Sequence, residues 1–464
     1  MATLKTAPVL QADADTLATS WEYVLYSGRL YAPVDYETSD GSLVPPVERR
    51  SWMPLSTSDI QEKARHQFDT AFKSSAQLAE FVFQLGQAAA KVRDAHSWLL
   101  IKTANGLKVL REDGMLHDPD GSFVPNMLVP VLNEDPTDKA ELMSIISDWL
   151  GSEEEEARSL LRHLATTLAP HWSAGKYVLL IGDGRNGKSV MMTMLRELFG
   201  LHNCSGVERQ VMGARDVGTF DLNGKLLNLV FDGPAEFVKD SGTEKTLITG
   251  EPVSIRRLYA HEQSVVQTNA LFVEGLNKEP KSRDKSSALQ ARLVRYWFPN
   301  KYAEDDEFLH RMKSERMLGA LLSLLIDNYV LPQDKAVMLA PTALSRQLQM
   351  EHMEANSLAV QFVVHLEETD PLGAEAALVD QPFDSVVQQF TSWRVKSNDL
   401  TVFDKAGLMS MFGPVLHLKR KSARVPGKSS PVKVHYITGI KADTLEYLVS
   451  LKEEDNASTP MVED

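Results

Sequence analysis

The residues from Gly182 to Ser189 set Gly182, Gly184 and Gly187 around Asp183, Arg185 and Asn186, and end on Lys188 and Ser189. This is the complete spacing G-x-x-x-x-G-K-[ST]. Glycines let the backbone curl until successive N–H groups face one anionic centre. A lysine directly after the last glycine reaches the β- and γ-phosphates of a nucleotide, and the hydroxyl after it ligates magnesium. The candidate nucleotide-binding stretch therefore runs from Gly182 through Val190, with Lys188 as its cation. Its flanks agree. Tyr177–Ile181 reads as a buried strand leading in. Val190–Phe199 reads as a helix, apolar at Val190, Met194, Leu195 and Leu198, and its N-terminus adds partial positive charge.

Such a site also needs a carboxylate to hold the metal and polarise the attacking water. The apolar run around Leu226–Phe231 delivers Asp232 at its end, where open α/β sheets place ligands. Ser189 and Asp232 are thus the candidate metal ligands. Glu236 is the next acid along. A turn is the plain alternative for Asp232, since Asp232, Gly233 and Pro234 are good turn formers. A third apolar run, Ala270–Glu274, leads to Asn277, whose amide would lie beside the γ-phosphate and orient water. An ordinary loop asparagine is the alternative there.

Positioning these groups takes an alternation of buried strands and helices, and Ala174–Pro299 has that pattern. The chain has 464 residues and is 43% hydrophobic, enough for two or three domains. The reading divides it into an α/β region over 1–134 with no assigned role and a helical collar over 135–173. The nucleotide-binding core follows over 174–335, then a helical and winged-helix-like module over 336–450 and an acidic disordered tail over 451–464. In the first part Gln61–Ala90 reads as helical and Leu99–Leu110 as short strands around Asn105 and Gly106. In the last module the reading is a helix around Val386–Val395, a short helix over Lys405–Phe412, a basic stretch and a strand Val432–Ile437. No apolar run has the length of a membrane span, and no basic patch precedes an apolar stretch at the start, so neither membrane nor secretory signal is expected. One cysteine, Cys204, rules out an internal disulfide and a cysteine zinc cluster, as suits a reducing cytoplasm. The net charge of −14 argues against nucleic acid in the average, but His417–His435 holds Lys419, Arg420, Lys421, Arg424, Lys428 and Lys433 without an acid.

On these residues the chain resembles the superfamily 3 helicases, most of all the phage and plasmid primase-helicase group that includes a poxvirus protein. The phosphate loop with Asn186 before its last glycine resembles theirs. So does Lys245 ahead of Thr249, Gly250 and Glu251, although Gly250-Glu251 stands where a Gly-Gly-Asp-like turn is usual. Ile255–Tyr259 resembles the segment leading to a DNA-contacting hairpin, Leu276–Pro280 the sensor loop, and Ala291–Pro299 the arginine-finger segment, with Arg292 and Arg295 both open for that role. The usual acidic pair is reduced to Asp232, and the N-terminal third has no primase motif. The resemblance implies an AAA+ P-loop core of α/β class, a hexamer around DNA, ATP with Mg2+ between subunits, and 3′ to 5′ translocation. It implies single-stranded and forked DNA as substrates, a primase, polymerase or single-strand-binding protein as partners, and a host cytoplasm as location. The catalytic set would be Lys188, Asp232, Glu236, Asn277 and Arg292 or Arg295.

Two elements offer DNA contacts. Arg256, Arg257, Tyr259 and His261 fall near the tip of a hairpin over Val253–Gln267, where cations grip phosphates and an aromatic ring stacks on a base. Lys419, Arg420 and Lys421 would meet duplex through a wing. A solvated surface hairpin and a flexible charge run are the bland alternatives. Competing functions are a DNA-packaging or protein-remodelling ring ATPase, a small-molecule kinase, and an ATP-binding origin initiator that recruits a separate helicase.

Overall fold

A computed structural model describes residues 14–15, 18, 23–26, 29–35, 50–55, 57–68, 75–91, 98–119, 126–214, 217–233, 242–256, 263–278, 287–396, 405–423 and 432–458. The architecture is mixed α/β. Its centre is a wholly parallel sheet of β1 (Tyr177–Ile181), β2 (Cys204–Ser205), β3 (Leu227–Val230), β4 (Leu271–Leu276) and β5 (Leu293–Trp297). The strands lie in the order β2-β3-β4-β1-β5. Every residue of β1 is buried, because a parallel sheet is covered on both faces. The pleat sorts them. Val178 and Leu180 enter the cluster that holds Met191, Met194, Leu195 and Leu198. Tyr177, Leu179 and Ile181 enter a second cluster with Leu247, Ile248, Val253 and Phe272.

Helices α1 (Pro136–Trp149), α2 (Glu154–Ala165), α3 (Lys188–Phe199) and α4 (Glu315–Asp327) share the first cluster. The Asp135 side chain accepts from the Thr137 and Asp138 amides and Pro136 opens α1, a good helix start. Ser314 caps α4 by accepting from the Met317 amide.

The apolar clusters draw boundaries different from the sequence reading. Leu99, Ile101, Leu110 and Leu128 come from a small sheet before α1, yet they belong to the same cluster as α1–α4 and Val178. The strand Asn126–Val131 packs against α3 and α4, and the Gly319 carbonyl accepts from the Asn133 amide at 3.3 Å. Chain on both sides of residues 134 and 173 therefore contributes to one apolar cluster, which runs to Leu339. The expected helix over Gln61–Ala90 is two helices, Thr57–Phe68 and Ser75–Ala88, in a cluster of their own with Tyr23 and Leu30.

A separate cluster fills the C-terminal unit, from Met350 to Leu448. Its order is helices Leu358–Thr369 and Gly373–Leu378, an extended pairing of Pro382 with Tyr436, helices Phe383–Lys396 and Lys405–Phe412, then an antiparallel ribbon of Leu416–Ala423 with Val432–Ile440. In the basic stretch Lys419, Arg420, Lys421 and Lys433 lie on these strands, and Arg424 and Lys428 fall outside the described residues. The helix Ala442–Ser458 runs past residue 450, where a disordered tail was expected. Thr444, Tyr447 and Leu448 are buried and anchor it; acidic composition marks solvent exposure, which a nucleated helix tolerates.

One buried polar group ties α2 to the sheet. His163 is fully enclosed, and its Nδ1 lies 3.0 Å from the Ser159 carbonyl and 2.9 Å from the Tyr296 hydroxyl, which also meets Ser159 Oγ at 2.8 Å. Burial pushes the His163 pKa down to about 4. Folding then favours the neutral ring: its stabilising share is complete above about pH 6.5, the unfolded value, and is lost as pH falls toward 4. Between pH 7 and pH 5 this group should cost about 2 kcal/mol of stability. Urea titrations of the wild type and of His163→Gln at both pH values check it; an equal acid loss in the two proteins would remove His163 as the cause.

Candidate functional site

The loop Gly182–Gly187 joins β1 to α3 on a path only glycine takes easily. Gly184 and Gly187 have φ of 95° and 94°, and Arg185 follows at 50°. A side chain on Gly187 would stand 2.6 Å from the Trp149 ring. One on Gly182 would stand 2.5 Å from the Phe298 carbonyl. Trp149 and Phe298, neither of them in the sequence-derived site, therefore frame the loop from two sides. Asn186 is buried and its Nδ2 donates to the Phe298 carbonyl at 3.2 Å. Its Oδ1 accepts from Lys188 Nζ at 3.0 Å, and the Gly182 carbonyl accepts from the same ammonium at 2.5 Å. Burial lowers the Lys188 pKa, and the charges of Asp183 and Asp232 oppose that shift.

A segment after β5 crosses over the loop. The Tyr302 amide donates to the Arg185 carbonyl at 2.8 Å, and its hydroxyl donates to Asp148 Oδ2 at 2.7 Å. Arg185 pairs with Glu304 at 3.3 Å.

Strand order decides what else meets the loop. β4 lies between β1 and β3, so the ends of these three strands open on one cleft. Its volume is about 1590 Å³, and Gly184 to Val190, Asp232 and Asn277 line it with Trp149, Tyr302 and Phe308. Asp232, Asn277 and Ser189 are exposed to it. Gly275 lets β3 approach closely, since a Cβ there would stand 2.7 Å from the Phe231 carbonyl. The cleft thus has a cationic floor with backbone N–H groups, two polar side chains opposite, and an aromatic wall. It has room for a nucleoside triphosphate. Among the described residues no His, Cys, Asp and Glu group is clustered as a metal nest. Ser189 and Asp232 are the groups with the chemistry to hold magnesium beside phosphates.

The two arginine candidates part company. Arg295 is 1% exposed, mid-strand in β5, and its Nη2 donates to Gln290 at 2.7 Å. That burial corrects the reading of Arg295 as a residue reaching across to a neighbour. Arg292 is half-buried and lies just before Leu293, which pairs with Tyr177, whereas Trp297 pairs with Ile181 at the loop end. Five strand steps, roughly 17 Å, separate it from the loop end of the sheet in its own chain. Beside it, burial, Lys335 and Arg292 push the Lys176 pKa down. Lys176 donates to the Ala291 carbonyl at 2.9 Å and Lys335 to that of Ser173 at 2.9 Å.

The hairpin pairs Val253–Arg256 with Gln263–Val266. Val253, Ile255 and Val266 are buried on the sheet, and Arg256 ends the first strand. Arg257, Tyr259 and His261 fall outside the described residues, as does Glu236. In the ribbon Lys419 and Lys421 pair with Tyr436 and Val434, and Arg420 with His435. Alternation puts Lys419 and Lys421 on one face and Arg420 on the other. Lys421 lies 5.3 Å above the Tyr436 ring and 3.5 Å from Asp380, and Arg420 Nε donates to His435 Nε2 at 2.9 Å.

Residues 180–292 match a family of unknown function (DUF5906). No curated protein matches the chain. Among solved structures, an apo form of the NrS-1 C-terminal region is similar at 12% identity and a TM-score of 0.46, over 92% of this chain and 99% of that one. A second apo structure of that region gives 12% and 0.42 over 94% and 100%. JCV helicase gives 15% and 0.28 over 50% of this chain and 65% of that one. Among the described residues no helix is long and apolar enough to cross a membrane.

The two arginines should separate in stability as they do in exposure. Arg295→Met removes the partner of a buried amide and should cost about 2–4 kcal/mol in urea unfolding, whereas Arg292→Ala should stay within about 1 kcal/mol. The reverse ranking would return Arg295 to the surface role.

Proposed function

We propose that the protein is an ATP-driven DNA helicase that works as a ring, of the superfamily 3 type with an AAA+ core. The observation that carries this is the split of the site within one chain. The phosphate loop, Asp232 and Asn277 open on one cleft, and Arg292 stands at the far end of the sheet. Lys176 and Lys335 stand with it and use backbone carbonyls as partners. A cationic edge of that kind fits a phosphate supplied by another subunit. In this reading Lys188 and the loop amides hold the triphosphate of ATP, and Ser189 and Asp232 hold Mg2+. Asn277 orients the attacking water, and Arg292 of a neighbouring copy offsets charge on the transferred phosphoryl group. The Trp149–Phe308 wall takes the base.

The nucleic acid would meet the hairpin at Arg256 and, near its tip, Arg257, Tyr259 and His261. The ribbon favours duplex at the fork. Both of its faces carry cations, and a two-stranded ribbon fits the major groove. The helix order around it suits a winged-helix module. A phage or mobile-element origin, a hexameric ring and a replication partner belong to the same proposal. The packaging and initiator alternatives share the cleft but need no strand displacement.

Purified protein should displace the strand of a forked DNA only with ATP and Mg2+, and Lys188→Ala should abolish turnover. Arg292→Ala should bind ATP with near wild-type affinity and hydrolyse at least about 100-fold more slowly. Mixing it with Lys188→Ala should restore part of the activity. ATP hydrolysis without strand displacement would shift the reading to another ring motor, and a Lys188→Ala protein that turns over ATP would remove the site.

A further inference from the structure

A second polar cluster lies on the face of the sheet opposite α3. Glu274 occupies β4 opposite Val230 of β3 and is 1% exposed. Its carboxylate lies directly against Gly233, the residue after Asp232: a Cβ on Gly233 would stand 2.7 Å from Glu274 Cδ. The Gly233 amide also donates to the Gly275 carbonyl at 2.9 Å, which ties the backbone of Gly233 to β4. On its other side Glu274 acts on Tyr177, whose hydroxyl is pushed well above its ordinary pKa by burial and then by Glu274. Arg209 lies over the same ring, 5.5 Å from its centroid, and its Nε donates to Glu244 at 2.7 Å. Both ends of that pair are enclosed, at 3% and 0% exposure. Burial opposes the charge on Arg209, and Glu244, Tyr177 and Glu274 more than offset it.

Glu244 is on the helix Gly242–Ile248. That helix passes into the hairpin through a tight turn, with amide donation from Gly250 to Leu247 at 3.0 Å and from Glu251 to Thr246 at 3.0 Å. Leu247 and Ile248 share one apolar cluster with Val253, Ile255 and Val266 of the hairpin. Tyr177, Leu179 and Phe272 of the sheet belong to the same cluster, so helix and hairpin pack together against the sheet, and the Arg209–Glu244 pair, with Arg209 over the Tyr177 ring, adds a polar joint between that helix and β1.

We propose that Glu274 is a positioning residue for the Asp232–Gly233 turn, and that through Arg209 and Glu244 it links the nucleotide cleft to the hairpin Val253–Val266. This rests on the nucleotide reading above. Asp232 would meet Mg2+ bound with ATP, the Glu274 carboxylate would hold Gly233 in place behind it, and the Arg209–Glu244 pair would pass a displacement there to the helix. A close-packed, desolvated ion pair suits this task because it has few alternative geometries.

The test is hydrogen–deuterium exchange of the full chain with and without Mg2+ and a non-hydrolysable ATP analogue. The wild type should change exchange across 242–267 on binding. Glu244→Gln keeps an acceptor for Arg209 and should bind the analogue within about two-fold of wild type, yet lose most of that change. Glu274→Gln should do the same and lower kcat about ten-fold with KM nearly unchanged. If Glu274→Gln does not fold, Glu244→Gln and Arg209→Lys decide alone. An unaltered response of the hairpin in these variants, or none in a wild type that binds analogue, overturns the link and leaves the nucleotide site standing. A wild type that binds no analogue removes the site itself.

Discussion

The ammonium of Lys188 sits on the floor of the cleft at 6% exposure, and its partners are a carbonyl and an amide oxygen of its own loop. Burying a cation is costly, and weak neutral acceptors offset only part of that cost. The rest of the site can be read as what it takes to keep the charge there. Asn186 supplies one acceptor and is itself fixed by the Phe298 carbonyl. Asp183 and Asp232 supply opposing charge from a distance. Trp149 closes one side of the loop so tightly that only glycine fits at 187. An anion entering the cleft would find its countercharge already desolvated, and the reorganisation is done in folding rather than in binding.

The parallel sheet converts that local chemistry into an arrangement with two ends. Because β4 is inserted between β1 and β3, the polar residues after three strands gather at one edge, and the residue before β5 is held at the other. No side-chain motion brings Arg292 back over a distance of five strand steps. A chain built this way carries polar groups at one end of a single layer and cations at the other, and under the proposed function the two ends would meet between neighbouring copies in a head-to-tail arrangement.

The loop, its strand and its helix were legible because glycine spacing and apolar periodicity are local properties. Asp232 and Asn277 followed from the rule that ligands meet strand ends. The choice between Arg292 and Arg295 was not legible: both are arginines in one short segment, and only the pairing of β5 with β1 puts one before the strand and the other inside it. Glu274 was hidden for a related reason. Inside an apolar strand its letter marks only the end of the run, and its partners Arg209 and Glu244 come from helices whose contact no spacing encodes. The small sheet around Leu99–Val131 read as part of a separate region because alternation shows which face is apolar and says nothing of what covers it.

Charge follows the same logic of placement over composition. A body of net charge −14 repels a phosphate backbone everywhere except where cations project beyond the local field. In the ribbon, alternation distributes Lys419, Lys421 and Arg420 over two faces of a two-stranded element too thin to bury either. Tyr436 lies under Lys421, so the same element carries an aromatic ring next to a cation. Attraction confined to such projections, with repulsion around them, would orient an acidic particle against a polyanion more strictly than a uniformly basic surface would.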